Sequence, residues 1–194
     1  AFACPTIRRV RISVLGTGYL GATHAAGMAE LGHEVLGVDV DAAKIAALSE
    51  GRAPFHEPGL NELLATHVAS GRLRFSTSLA EAAEFADLHF LCVGTPQRAG
   101  SEAADLTAVD QVVASLAEHL QRPTFVIGKS TVPVGTADHL ASVLASATAG
   151  VEVAWNPEFL REGFAVQDTL KPDRLVFGVE SAAAESALRE VYAP

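Results

Sequence analysis

The 194 residues carry 49% hydrophobic and 19% charged side chains, which suits one packed domain and excludes a disordered chain. A formal net charge of −9 without any Lys/Arg run excludes the basic face that nucleic acids and other polyanions require. Two cysteines, Cys4 and Cys92, cannot build a disulfide framework, and no apolar stretch approaches the roughly 20 residues that cross a membrane, so a reducing, cytoplasmic setting is expected.

Residues 1–9 read as a leader without the apolar core of a signal peptide. From Val10 onward short apolar runs alternate with helical segments. Strands are predicted at 10–15 (VRISVL), 34–39 (EVLGVD), 73–76 (LRFS), 87–93 (DLHFLCV), 124–128 (TFVIG), 151–155 (VEVAW) and 174–179 (RLVFGV). Several are rich in Val, Ile, Leu and Phe with little alternation, as in strands buried on both faces of a parallel sheet. Cys92 falls in such a run and reads as a core residue. Helices are predicted at 19–31, 41–49, 107–120, 135–146 and from Ser181 onward, and residues 96–104 read as a surface loop. This alternation predicts an α/β fold: a doubly wound, mostly parallel sheet with helices on both faces.

The first strand runs into Gly16-Thr17-Gly18-Tyr19-Leu20-Gly21, a G-x-G-x-x-G placed between a strand and a helix. Gly16 permits the tight turn, Gly18 leaves room for a pyrophosphate, and Gly21 lets helix and strand approach closely. The helix N-terminus offers free N–H groups to the phosphates. The second strand ends in Asp39, 18 residues beyond Gly21. A carboxylate there accepts hydrogen bonds from ribose hydroxyls and repels a 2′-phosphate, so NAD is expected rather than NADP; Lys44 reaches toward the same end and complicates that preference. The expected architecture is therefore a Rossmann domain over 10–194, and no metal site is expected.

Later segments are less decisive taken singly. Val93, Thr95 and Pro96 follow the fourth strand, where they either lie against the dinucleotide or form an ordinary turn. Gly128-Lys129-Ser130 looks like the end of a phosphate-binding P-loop but fails as one, because Pro123 stands where the first glycine belongs. In Lys129-Ser130-Thr131-Val132-Pro133, Pro133 suits a first helical turn capped by Thr131 or Ser130, and capping is the better reading of those residues alone. Glu158 and Glu162, four apart after the sixth strand, serve catalysis or a solvated helix face, the latter being the safer reading in isolation.

Together, GTGYLG, the Asp39 strand end, HEPGL (56–60), FSTS (75–78), VGTP, KSTVPVGT, NPEFLREG and KPDRLVFGV occur in an order that resembles the UDP-glucose/GDP-mannose dehydrogenase family. The resemblance runs from about Val10 to the end. It implies oxidation of a nucleotide sugar's C6 alcohol to a carboxylate with two NAD, through a thiohemiacetal and a thioester on a cysteine. It makes Glu158 the general base for the hydrolytic water and gives Thr131 the task of positioning that water. It places Ser130 and Glu162 near the nicotinamide, lines the sugar-nucleotide site with Glu158, Phe159, Leu160 and Arg161, and puts Asp39 and Lys44 at the adenosine ribose.

The family's nucleophile lies in a Gly-rich segment ending Cys-Phe-x-Lys-Asp, and its catalytic Lys and Asn lie in a central helical region. None of these has a counterpart in the 194 residues, so the resemblance implies an isolated cofactor domain, a truncation or a fragment, inactive alone. UDP-glucose is the first choice of substrate, with UDP-N-acetylmannosamine or GDP-mannose as alternatives, and the whole enzyme is expected to be a homodimer or larger. A 6-phosphogluconate or 3-hydroxyacyl-CoA dehydrogenase would share the glycine loop but lack the KSTVPVG and NPEFLREG pair. A non-catalytic NAD-binding module is the alternative of a different class.

Overall fold

The computed structural model describes residues 9–193; Cys4 and most of the leader lie outside the described residues. Among these residues six strands pair in parallel throughout: β1 (Arg11–Leu15), β2 (Glu34–Val38), β3 (Leu73–Ser76), β4 (Leu88–Leu91), β5 (Thr124–Gly128) and β6 (Val151–Trp155). Their order is β3-β2-β1-β4-β5-β6. The chain winds outward in one direction from β1 and then in the other from β4, which opens a crevice at the carboxyl ends of β1 and β4.

Among the described residues eight helices cover the two faces: α1 (Tyr19–Glu30), α2 (Ala42–Ser49), α3 (Leu60–Ala69), α4 (Leu79–Phe85), α5 (Thr107–Ala117), α6 (Thr136–Ala147), α7 (Ala165–Leu170) and α8 (Ala182–Val191). Side chains alternate along each strand, so β1, β2, β4, β5 and β6 feed two cores, whereas the edge strand β3 puts Leu73 and Phe75 into one and Arg74 into solvent. Ile12 and Val14 of β1 and Leu88 and Phe90 of β4 join Cys92, Leu64 and Leu188 on one side. Leu15 and Leu91 join Val109, Val113, Leu116, Leu140 and Leu144 on the other. This double burial is why the strands read as unbroken apolar runs. Within the sheet Ser13 and His89 are register partners, and Ser13 Oγ lies 2.5 Å from His89 Nδ1.

Helix α1 is built from small residues, Ala22, Ala25, Ala26 and Ala29 among them, and is buried along most of its length. His33 ties both ends of the fold together: Val10 N donates to its Nδ1 at 3.3 Å, so Nε2 carries the proton and donates to Val191 O at 2.8 Å. At the amino ends of the strands, exposed pairs form a polar rim: Arg11–Glu34, Arg74–Glu81 and Arg122–Asp87, with Arg11 and Arg74 both over the Phe85 ring.

Two expectations are corrected. Residues 174–179 do not form a seventh strand; they touch the edge strand β6 at a single antiparallel bridge, Trp155 to Gly178. Asn156 Nδ2 captures the Val176 carbonyl at 3.0 Å, which diverts that backbone group from a ladder, and Leu175 and Val176 face solvent. Pro133 does not start a helix. The N-cap of α6 is Gly135 in a left-handed conformation (φ 89°), with no side-chain cap, and neither Ser130 nor Thr131 caps it.

Candidate cofactor and catalytic site

Beyond β1 the chain turns at Gly16 (φ 90°), whose N–H donates to Val38 O at 2.8 Å. A Cβ on Gly16 would lie 2.8 Å from Val93, and one on Gly21 would lie 1.8 Å from the Gly16 carbonyl. Both glycines are thus demanded by the protein's own packing. Gly18 differs: its backbone is extended (φ −67°) and a Cβ would meet nothing within 4 Å. The open space beside Gly18 lies at the start of α1, where the N-cap residue contributes no side-chain hydrogen bond. Free N–H groups and a Cβ-free surface together fit a pyrophosphate. Leu20 packs on the core, and Thr17 is buried with its backbone N–H and hydroxyl both turned to Asp39.

Asp39, 9% exposed, is held from several sides. Its Oδ2 accepts from Thr17 N (2.8 Å), Thr17 Oγ1 (3.1 Å) and Lys44 Nζ (2.8 Å), and its Oδ1 accepts from Asp41 N (3.1 Å). Burial alone would raise its pKa, but the bonds from Lys44, Thr17 and Asp41 prevail and hold it below the ordinary carboxylate value. The carboxylate is therefore ionised, and Oδ1 is the oxygen with acceptor capacity to spare. Next to it a cavity of about 350 Å³ is lined by Val38, Val40, Leu79, Val93, Ala108, Val112 and neighbours. Its walls are mainly apolar, and Val40 is 91% exposed at its rim. An adenine ring fits such a slot. None of Val40, Leu79, Ala108 or Val112 is singled out by the sequence, because helical spacing does not distinguish a core stripe from a ligand-facing one.

Across the crevice, β4 runs into Cys92 and Val93, and β5 into Lys129 and Ser130. Ser130 Oγ donates to Val93 O at 2.6 Å, and Thr95 Oγ1 donates to Thr131 O at 2.7 Å, so the two loops are stitched side by side. Pro96 is exposed in the loop beyond, and its carbonyl accepts from Asp105 N at 2.8 Å. Cys92 is buried and its thiol is pushed up to about 12, chiefly by burial and against the pull of Lys129. Such a thiol is not a nucleophile.

Lys129 is buried with no carboxylate in hydrogen-bonding contact. Its Nζ donates to Asn156 Oδ1 at 3.0 Å and to Tyr192 Oη at 3.4 Å, while Tyr192 Oη donates to the same Asn156 oxygen at 2.6 Å. Burial pushes the Lys129 ammonium below its usual range, opposed in part by the charge of Glu158. Asn156, fully buried, completes its bonds through Val176 O and Gly128 O and so anchors the start of the 157–163 loop.

That loop forms one wall of a second cavity, of about 240 Å³, which gathers Glu158, Phe159, Leu160 and Arg161 with His24, Lys129, Thr169 and Tyr192. Glu158 Oε2 accepts from Leu160 N at 2.5 Å. Arg161 is committed to Asp168 through its backbone N, Nε and Nη2. Phe159 is exposed and lies under Arg174, 4.3 Å from guanidinium carbon to ring centroid. His24 is fully enclosed, with Nε2 lacking a partner, and burial lowers its pKa well below the usual value. Glu162 and Thr131 are exposed on the same loops and line neither cavity. His24, Lys129, Asn156 and Tyr192 escaped the sequence reading. Lys129 and Asn156 open the two later motifs, but a side chain's burial is not written in its identity.

A comparison with known proteins agrees with this geometry. The profile of the UDP-glucose/GDP-mannose dehydrogenase family, NAD binding domain, matches residues 10–194. The chain is 44% identical over 189 residues to the UDP-glucose 6-dehydrogenase of Rhizobium meliloti, covering 95% of this chain and 43% of that protein. Among solved structures it superposes on a UDP-glucose dehydrogenase from Pyrobaculum islandicum with a TM-score of 0.92 and 41% identity, over 99% of this chain and 46% of that one. It superposes on GDP-mannose dehydrogenase from Pseudomonas aeruginosa with a TM-score of 0.90 and 34% identity, over 94% and 44%. The chain spans less than half the length of these relatives. No helix among the described residues is long and apolar enough to cross a membrane. Over residues 10–194 the chain belongs to the UDP-glucose/GDP-mannose dehydrogenase family, as its NAD binding domain.

Proposed function

We propose that this domain serves an enzyme that oxidises the C6 alcohol of UDP-glucose to the carboxylate of UDP-glucuronate, in two hydride transfers separated by a thioester. The observation that carries this reading is the Lys129–Asn156 hydrogen bond, which sets the KSTVPVG and NPEFLREG segments together at the carboxyl ends of β5 and β6, beside the dinucleotide crevice.

When bound, NAD accepts the hydride. The chain's own residues hold and orient it: the α1 N-terminus and the space beside Gly18 take the pyrophosphate, Asp39 Oδ1 takes a ribose hydroxyl, and the Val40–Val112 slot takes the adenine. Ser130 Oγ has its proton committed to Val93 O and offers its lone pairs to a donor; with Glu162 it flanks the nicotinamide end. Glu158 has Oε2 tied to Leu160 N, which leaves Oε1 to take a proton from the hydrolytic water that Thr131 holds. Phe159, Leu160 and Arg161 face the sugar nucleotide. The thiol that carries the acyl group is not Cys92, which is buried and protonated; it belongs to the part of the relatives' length that this chain does not span. On this reading the 194 residues bind NAD but do not oxidise UDP-glucose alone, and the whole enzyme is a cytoplasmic homo-oligomer.

The test uses the full-length enzyme. Two NADH per UDP-glucose, with GDP-mannose and UDP-N-acetylmannosamine turned over far more slowly, supports the reading; preference for either rival sugar overturns it. Glu158→Gln keeps the shape and removes the base, and general-base assistance is typically worth about 10²–10⁴-fold. This variant should give a burst of NADH and an acyl-enzyme adduct visible by intact-mass spectrometry. Loss of the first oxidation without an adduct would assign Glu158 to binding or alcohol deprotonation instead.

A further inference from the structure

The HEPGL segment has no role in the chemistry above, yet its Glu57 is 5% exposed and buried between two functional loops. Glu57 Oε2 accepts from Tyr19 Oη at 2.5 Å and from Gly163 N at 2.9 Å, and Oε1 accepts from Val166 N at 3.4 Å. Tyr19 is the first residue of α1, at the edge of the phosphate-facing space, and its ring packs against Phe55 at 5.2 Å. Gly163 follows Glu162 directly, and Val166 lies in the first turn of α7, whose N-cap residue Phe164 offers no side-chain bond. One carboxylate, 106 residues from Gly163 in sequence, thus joins the cofactor helix to the end of the Glu158–Gly163 loop through Oε2, while Oε1 holds the first turn of α7 that follows the loop.

The electrostatics agree with the geometry. Burial raises the pKa of Glu57, but the bonds from Tyr19, Gly163 and Val166 outweigh it and keep the carboxylate ionised below its ordinary value. Burial and the Glu57 bond together push the Tyr19 phenol up to about 12, so it remains the donor at neutral pH. A charged acceptor with three donors is a stiff link, because charge-assisted bonds are the strong ones and freeing the carboxylate inside the protein is costly.

We propose that Glu57 is a positioning residue that couples occupancy of the phosphate site at Gly18–Tyr19 to the order of the Glu158–Gly163 loop. Filling one end of the crevice would then pre-form the loop at the other. The idea rests on the dinucleotide site described above and adds to it a route between its two ends.

ADP is the probe, because it carries the adenosine and both phosphates but no nicotinamide, and so fills the phosphate site without reaching the loop. Its binding is first measured by calorimetry. Hydrogen exchange of peptides covering 157–166 is then followed by mass spectrometry, with and without saturating ADP, in wild type, Glu57→Gln and Tyr19→Phe. Coupling free energies of the usual size predict that ADP slows exchange of these amides by about fivefold or more in wild type. Tyr19→Phe removes one hydroxyl and keeps the ring on Phe55 and the backbone of the phosphate site; with ADP raised to saturation by its own measured affinity, it loses the slowing, and Glu57→Gln, with the charge removed, loses it as well. If ADP binds wild type and the loop does not respond, or if both variants retain the full response, the coupling is wrong while the dinucleotide site stands. If wild type binds no ADP, both fall together.

Discussion

Lys129 Nζ donates to Asn156 Oδ1 across 3.0 Å, joining the first residues of two motifs that lie 27 positions apart in the chain. The ammonium is buried without a carboxylate partner in contact, so the two ends of this bond are unequal in energy. Removing Asn156 strands a buried charge, whereas removing Lys129 removes the charge itself. Asn156→Ala should therefore cost about 2–4 kcal/mol of stability, while Lys129→Met should leave stability unchanged or higher. Denaturant unfolding of the two variants checks this; equal losses would mean that the network is held by packing rather than charge.

Gly18 and Gly21 should fail in different ways. Gly18→Ala meets no protein atom, so the melting temperature should hold while NAD affinity falls by about tenfold, or 1.4 kcal/mol. Gly21→Ala drives a Cβ into the Gly16 carbonyl and should cost about 3 kcal/mol of stability. Calorimetric titration with NAD beside thermal melts separates the two effects. An unchanged NAD affinity in Gly18→Ala would show that the open space is not a phosphate cradle.

Asp39 and Lys44 form a pair at 2.8 Å beside the expected ribose position, so Lys44 masks part of the charge that would repel a 2′-phosphate. Lys44→Ala should widen the preference for NAD over NADP by about fivefold, on the order of 1 kcal/mol. A ratio of affinities that stays constant or narrows would show that Lys44 is not the mask.

Stability should fall in mild acid. Burial lowers the pKa of His24, His33 and His89, the last from 6.5 to about 4. The unfolded chain binds protons on these rings near pH 6.5 while the folded chain does not. Stability is therefore fully present above that pH and declines as pH drops toward 4, on the order of 3 kcal/mol for His89 alone. Asp39 and Glu57, with lowered pKa values, add their loss only at lower pH, as the unfolded carboxylates protonate. Urea unfolding at pH 7, 6 and 5 measures the slope, which His89→Leu should reduce. A flat profile over that range would mean that the rings protonate without unfolding.

The fold was legible because the central strands β1, β2, β4 and β5 are buried on both faces and so announce themselves as apolar runs. The three helices that the sequence reading passed over, α3, α4 and α7, are short or follow loops. Helix α4 did carry its signal: Ser78 accepts from Glu81 N at 3.2 Å, the S-x-x-E spacing of a helix start. The turn at Gly16 and the close packing at Gly21 were legible because each answers a local demand of the backbone. Glu57, His24 and Tyr192 were not, since their partners lie far away in sequence. Pro133 misled because a proline before a helix and a proline in its first turn look alike until the left-handed Gly135 is seen.

The amino-terminal rim, with Arg11–Glu34, Arg74–Glu81 and the Arg11–Phe85–Arg74 stack, lies at the opposite end of the sheet from every loop assigned a role above. The molecule is in effect divided into a working end and an upkeep end. Exposed ion pairs of this kind contribute little individually and exchange freely. That rim is where an engineer can graft tags, attach the domain to a surface or add stabilising substitutions, leaving the cofactor end undisturbed.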